Sequence, residues 1–215
     1  MLASGDICCV TRTLFLLSPA RLDGQRAKTL LNPAAQFPLA QQLRRREGAT
    51  IGEVFAFLSG LYFRGKLTYA LTFGKIEPDF VPIRVITTSR GLLMPTYRVR
   101  ARDLVAFASV DLNVAREAFQ KPLLRDARRL ARQIGDDGRV VLLGSIATNK
   151  YVEPLLRVFG ERLLFPRDFV GRGDMSRGGL LLRQSRAGTE LEYIPIASAV
   201  RHGARPPKLT PLRRT

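Results

Sequence analysis

Three short apolar runs, each closing in small hydroxyl-bearing or glycine residues, constrain this chain more than any other feature. They are Leu14 to Ala20 (LFLLSPA), Arg84 to Gly91 (RVITTSRG) and Val140 to Ala147 (VVLLGSIA). A strand covered on both faces is apolar without alternation, and the ligand crevice of such a parallel sheet lies beyond the carboxyl ends of its strands. Each run therefore reads as a buried strand that stops at one common edge and opens there into a polar turn. Ser18, Thr87, Thr88, Ser89, Gly144 and Ser145 are expected to line one crevice, suited to a phosphate-bearing or sugar-bearing ligand. The expected fold is α/β: a single three-layer domain with parallel central strands, a C-terminal antiparallel hairpin and a basic tail.

Helical spacing recurs between the strands. Ala27, Leu30 and Leu31 are so spaced until Asn32 and Pro33 break the pattern, which resumes over residues 34 to 46 and ends in Arg44, Arg45 and Arg46. That basic end suits the negative pole of a helix, or a phosphate. Thr50 and Glu53 form a capping-box pattern, and a helix is expected from there to about Leu71, with Val54, Phe55, Leu58, Leu61, Tyr62 and Tyr69 inward and Arg64 and Lys66 on another face. Arg98, Arg100 and Arg102 would share a face if extended. The longest helix is expected at about 114 to 134, its buried stripe running Phe119, Leu123, Ala127, Leu130, Ile134. Its outward stripe of Arg125, Arg128, Arg129 and Arg132, with only Asp126 nearby to pair, is either a solvated face or a contact surface for backbone phosphates.

A fourth strand over Arg162 to Phe165 leads into Asp168 to Gly179 (DFVGRGDMSRGG). Glycines let a backbone approach a ligand and arginines supply forked donors, so this segment reads as a loop covering the crevice, or else as a long surface turn. Leu180 to Arg183 and Leu191 to Ile196 are then expected to form the hairpin about Ala187 and Gly188. The boundaries follow: an N-terminal arm over 1–12, the α/β domain over 13–198 and a basic, flexible tail over 199–215.

Charge narrows the partners. Lys plus Arg number 35 against 18 for Asp plus Glu, a net charge of +17 on 215 residues. Such a field attracts polyanions, nucleic acid first, although an arginine-rich composition alone also arises without such a partner. The two cysteines, Cys8 and Cys9, are adjacent and fit neither a disulfide framework nor zinc spacing, so a reducing cytoplasm is expected. The run around Leu14 is too short to span a bilayer, so no membrane partner is expected.

The same residues exclude several chemistries. His202 is the only histidine, which leaves no metal site and no motivated cofactor, and G-x-S-x-G is absent, which removes a serine–histidine triad. Neither the Walker A spacing nor G-x-G-x-x-G occurs. Asp174 is the better carboxylate: between Arg172 and Arg177 it stays ionised, as a base, an anchor for a sugar hydroxyl or a structural tether of those arginines. The ligand set is thus Ser18, Ser89, Arg90, Gly144, Ser145, Arg172, Asp174 and Arg177, with Asp174 and Ser145 as the catalytic candidates. Phosphates would be gripped by Arg125, Arg128, Arg129 and Arg132 and, from the tail, Arg213 and Arg214.

SPA after the first strand, SRGLLMP after the second and GSIATNKY after the third, together with FLSGLYFRGK and FVGRGDMSRGG, resemble an uncharacterised bacterial α/β protein family over about residues 13 to 209. LFLLSPA and the middle strand with GLLMP are more distantly similar to the bacterial peroxide-stress resistance proteins. That second resemblance implies a DNA-binding protein of the stress response whose fold has been likened to DNA glycosylases; the helix-hairpin-helix and glycosylase motifs are not found here. The function expected is a cytoplasmic nucleic-acid-binding protein, DNA before RNA, in DNA protection or repair, with a nucleotide-like ligand in the crevice. The alternative is an enzyme on nucleotides or nucleosides that hydrolyses or transfers across an N-glycosidic bond.

Overall fold

A computed structural model describes residues 11–109, 116–146, 149–200, 203–207 and 209; Cys8, Cys9, His202, Arg213 and Arg214 lie outside them. The first half of the chain runs β1 (Thr13–Leu17), α1 (Gln25–Leu31), α2 (Pro38–Arg44), β2 (Ala49–Thr50), α3 (Ile51–Ser59), α4 (Leu61–Phe73), β3 (Ile83–Ile86), β4 (Leu92–Leu93) and β5 (Arg98–Val99). The second half follows as α5 (Ala101–Ala108), α6 (Arg116–Ile134), β6 (Arg139–Leu143), α7 (Asn149–Phe159), β7 (Leu163–Pro166), α8 (Asp174–Ala187) and β8 (Tyr193–Pro195).

The main sheet has the order β4-β3-β1-β6-β7-β8, and its four central strands are parallel. Leu14 to Leu17 and Val140 to Leu143 are wholly buried, as expected of strands covered on both faces. Register aligns the strand ends, since Leu17 lies opposite Val85 on one side and Leu143 on the other. From β1 the chain crosses to β3 through α1–α4, then returns past β1 to β6. Strand order therefore reverses at β1, and the crevice of an open α/β sheet belongs at such a reversal. With right-handed crossovers, α4 and its partner α8 cover one face while α6 and α7 cover the other. β4 and β8 close the edges antiparallel.

The Thr50 capping box forms: Thr50 Oγ1 accepts from the Glu53 amide at 3.3 Å, and Glu53 Oε2 accepts from the Thr50 amide at 3.1 Å. The helix does not run on to Leu71 unbroken. Gly60, at φ +58° and ψ −126°, turns the backbone through a region open to glycine and divides it into α3 and α4. Nor do Arg98, Arg100 and Arg102 share an extended face. Asp103 Oδ2 accepts from the Arg100 amide at 2.8 Å, so a helix begins at Ala101 and β5 is only two residues long.

The larger correction concerns the C-terminal third. Asp174–Ala187 is helical, so Leu180 to Arg183 are not a strand, and Gly188 at φ +64° is the left-handed C-cap of α8 instead of a hairpin turn. The antiparallel pair exists, but β7 and β8 form it. Tertiary packing decides this. A Cβ at Gly178 would stand 2.8 Å from the Leu61 carbonyl oxygen and from Tyr62 Cα, and one at Gly65 would stand 2.7 Å from the Gly178 carbonyl oxygen. Gly178, read as a ligand-approach residue, and Gly65 thus let α4 and α8 meet backbone to backbone. Residues 203–207 lie close by, where Arg172 Nη1 donates to the Pro207 carbonyl at 3.4 Å.

α6 buries Phe119, Leu123, Ala127, Leu130 and Ile134 and leaves Arg125, Arg128, Arg129 and Arg132 exposed. Buried Asp126 accepts from the Leu92 amide and from Arg125 Nε, both at 3.0 Å, fastening β4 to α6. Asp126→Ala is expected to cost about 1–3 kcal/mol by orphaning a buried amide, with Asp126→Asn recovering part of it in urea unfolding. Equal midpoints for wild type and Asp126→Ala would remove Asp126 as the fastening.

Candidate ligand crevice at the carboxyl edge of the sheet

A cavity of about 920 Å³ opens where β1 and β6 end. Its floor is Ser18, and Ser145, Tyr62, Tyr151 and Asp174 stand around it, contributed by strand ends and by helices from both layers. Strand β6 ends in glycine for a steric reason. A Cβ at Gly144 would stand 2.7 Å from Ser18 Cβ and 2.9 Å from its Oγ, so only glycine leaves room for the Ser18 side chain.

Beneath the floor lies Lys66 of α4, 1 % exposed. Its Nζ donates to the Ser18 carbonyl at 2.7 Å and to Ser18 Oγ at 2.8 Å, and it sits 4.5 Å from the ring centre of Tyr62 and 5.0 Å from that of Phe63. Burial pushes its pKa down to about 7; Asp174 opposes this shift and Arg177 adds to it. Tyr151 donates its hydroxyl to the Ser145 carbonyl at 2.8 Å, and burial pushes its pKa up to about 12. Burial also raises the pKa of Tyr62, whose hydroxyl is enclosed and has no hydrogen-bond partner among the described residues.

The mouth is basic. Arg21, Arg26 and Lys150 are exposed there, against Asp174 as the only carboxylate of the lining among the described residues. Arg21 pairs with Asp23 at 2.7 Å on the surface, and Arg26 donates to the Phe57 carbonyl at 3.3 Å.

Of the residues expected to share one site, Ser18, Ser145 and Asp174 line the cavity, with Gly144 behind Ser18. Ser89 and Arg90 are not among its lining residues. β3 passes at once into the edge strand β4, so its hydroxyls and arginine serve that turn. Thr87 Oγ1 donates to the Gly91 carbonyl at 2.9 Å and accepts from the Arg90 amide at 3.1 Å; the Thr88 hydroxyl donates to the Phe107 carbonyl at 2.6 Å. Arg90 pairs with Asp103 at 2.7 Å.

Arg172 and Arg177 are not among the lining residues either. Arg172 donates to the Asp168 carbonyl at 2.9 Å and to Ser176 Oγ at 3.2 Å. Arg177 donates to the Phe169 carbonyl at 3.1 Å from Nη2, while its Nη1 lies 3.5 Å from Asp174 Oδ1. The α6 arginines form a separate surface on the other layer. The Gln133 carbonyl near the end of that helix accepts from Arg12, just before β1, so the stripe descends toward the amino edge of the sheet.

Tyr62, Lys66 and Tyr151 are the site residues that sequence reasoning missed. Lys66 does not share an outer face with Arg64, as its charge suggests: it stands four residues after Tyr62 and four before Ala70, inside the buried stripe of α4. The chain matches no family model, no curated protein and no solved structure. Among the described residues no helix is long and apolar enough to cross a membrane, and no group of three or more His, Cys, Asp or Glu is placed to hold a metal ion.

Proposed function

We propose that this chain is a cytoplasmic nucleic-acid-binding protein, acting on DNA in protection or repair, that takes a nucleotide-like anion into the crevice between β1 and β6. The crevice carries this reading: a cavity of about 920 Å³ at the strand-order reversal, with Arg21, Arg26 and Lys150 at the mouth and the unpartnered Tyr62 hydroxyl in the wall. Cavities of this size suit small organic ligands, and a basic mouth selects anions. The net charge of +17 and the exposed arginines of α6 support a polymer with many phosphates. Resemblance to the peroxide-stress resistance proteins points the same way. An enzyme cleaving or transferring across an N-glycosidic bond is the second reading, favoured by Asp174 and Ser145 standing around one cavity.

Fluorescence titration with a labelled DNA duplex tests the polymer part. Replacing Arg125, Arg128, Arg129 and Arg132 by alanine is expected to flatten the dependence of log affinity on log salt by about 3 to 4, close to one for each phosphate deprived of its arginine. Wild-type affinity that barely changes between roughly 50 and 200 mM salt overturns nucleic-acid binding by charge. For the crevice, a nucleoside monophosphate should raise the melting temperature of the wild type and leave that of Arg21→Ala/Arg26→Ala unmoved. Release of free base from a nucleotide, abolished in Asp174→Ala, would select the enzyme reading.

A further inference from the structure

The floor of the crevice holds a serine and a lysine in a relation that ligand binding alone does not require. Ser18 lines the cavity at 6 % exposure, Gly144 is cut back to make room for its side chain, and Lys66 Nζ lies 2.8 Å from its Oγ. Lys66 is itself 1 % exposed and lies against the rings of Tyr62 and Phe63. We propose that Ser18 is a nucleophile activated by Lys66 as general base, and that the protein hydrolyses an ester or amide of an anionic, crevice-sized molecule through an acyl-serine intermediate.

The geometry suits a neutral amine. Lys66 donates one N–H to the Ser18 carbonyl, 2.7 Å away, and its lone pair is left to accept the Ser18 hydroxyl proton. Burial that lowers its pKa to about 7 populates that neutral form near physiological pH. The titratable groups around the pair are Tyr62 on the same helix, Tyr151 of α7 beside Ser18, and Asp174 and Arg177 of α8. In acylation, Ser18 Oγ bonds to the substrate carbonyl carbon and its proton passes to Lys66 Nζ. The tetrahedral oxyanion collapses as the bond to the leaving alcohol or amine breaks, and that group departs with the proton from Lys66. Water then attacks the acyl carbon, gives its proton to Lys66, and frees the acid as Ser18 Oγ regains the proton. A serine–lysine pair performs acyl transfer on other folds without histidine. The basic mouth sets the preference for an anionic acyl substrate. This chemistry is independent of the nucleotide reading, since it rests on the floor of the crevice and needs no polymer.

A fluorophosphonate reagent tests the nucleophile directly: the Ser18 oxygen–phosphorus bond forms, fluoride leaves, and the serine proton passes to Lys66. Peptide mapping of the full chain after labelling should place the adduct on Ser18, with none in Ser18→Ala. The labelling rate should rise with pH through about 7 and level off above it, as Lys66 loses its proton. Lys66→Met, verified as folded by its melting transition, should label at least about 100-fold more slowly at pH 8 and lose the pH dependence. No adduct on Ser18 of the folded wild type, or an unchanged rate in folded Lys66→Met, overturns the proposal. For the substrate class, the 4-nitrophenyl monoester of succinate should be hydrolysed at least about 10-fold faster than 4-nitrophenyl acetate, with the preference abolished in Arg21→Ala/Arg26→Ala. Equal rates on the two esters in the wild type overturn the anionic preference.

Discussion

At pH 6 the Lys66→Met variant is expected to withstand more urea than the wild type, and to lose that advantage as the pH rises toward 10. Lys66 has a native pKa of about 7 against 10.5 for the free side chain. Between those values the unfolded chain binds a proton that the native protein does not, so wild-type stability rises with pH across that window. Below pH 7 both states are protonated and the full cost of an enclosed ammonium is present, on the order of 5 kcal/mol. Above 10.5 the amine is neutral in both states and the cost is gone. Methionine removes the ammonium but leaves the Ser18 carbonyl without its donor, a loss of about 1–3 kcal/mol. The variant should therefore be more stable by roughly 2–4 kcal/mol at pH 6 and less stable near pH 10. Urea unfolding at pH 6, 8 and 10 measures the difference between the two proteins, in which every other titrating group largely cancels. A difference that does not change with pH would mean that Lys66 has the same proton affinity folded and unfolded. A residue kept at such cost beside a serine that lines the cavity fits a part in function more than in stability.

Gly178→Val is the second large effect. Its Cβ would meet the Leu61 carbonyl and Tyr62 Cα at 2.8 Å, and these are backbone atoms that no rotamer change moves aside. α8 must therefore lift from α4. About 3 kcal/mol of stability should be lost to overpacking, equivalent to a melting temperature lower by roughly 6–12 °C. Lifting α8 also carries Asp174 away from the crevice and uncovers Tyr62. Anion binding should consequently fall by more than the loss of stability accounts for, when measured well below the melting temperature. Gly173→Ala is the control: nothing lies within 4 Å of a Cβ at that position, so stability and binding should stay near the wild type. A Gly178→Val protein that melts with the wild type would show that α4 and α8 do not meet backbone to backbone.

The strands were legible because enclosure on both faces writes itself into composition: Leu14 to Leu17 and Val140 to Leu143 are continuously apolar and wholly buried. The α6 stripe was legible for a similar reason, since a surface helix buries every third or fourth residue. Asp174–Ala187 was not. Glycines at 171, 173, 178 and 179 argue locally for a loop, and the helix stands because Gly178 allows close packing on α4, a gain that emerges only once Gly65 is opposite. Ser89 and Arg90 are not told apart from Ser18 and Ser145 by the sequence, because a hydroxyl-rich strand end reads alike whether it faces a ligand or caps a turn. What separates β3 from β1 and β6 is the edge strand that follows it.

By itself the sequence determined the class of fold, the common edge at which β1, β3 and β6 end, and Ser18, Gly144, Ser145 and Asp174 as residues of one neighbourhood. Those follow from hydrophobic period and turn chemistry, which are local properties of the chain. Only the tertiary structure decided that Ser18 has a lysine behind it, that two tyrosines close the walls and that the arginines of α6 belong to another surface. Lys66 and Ser18 are 48 residues apart, and a buried amine differs from a solvated one only through the groups that enclose it.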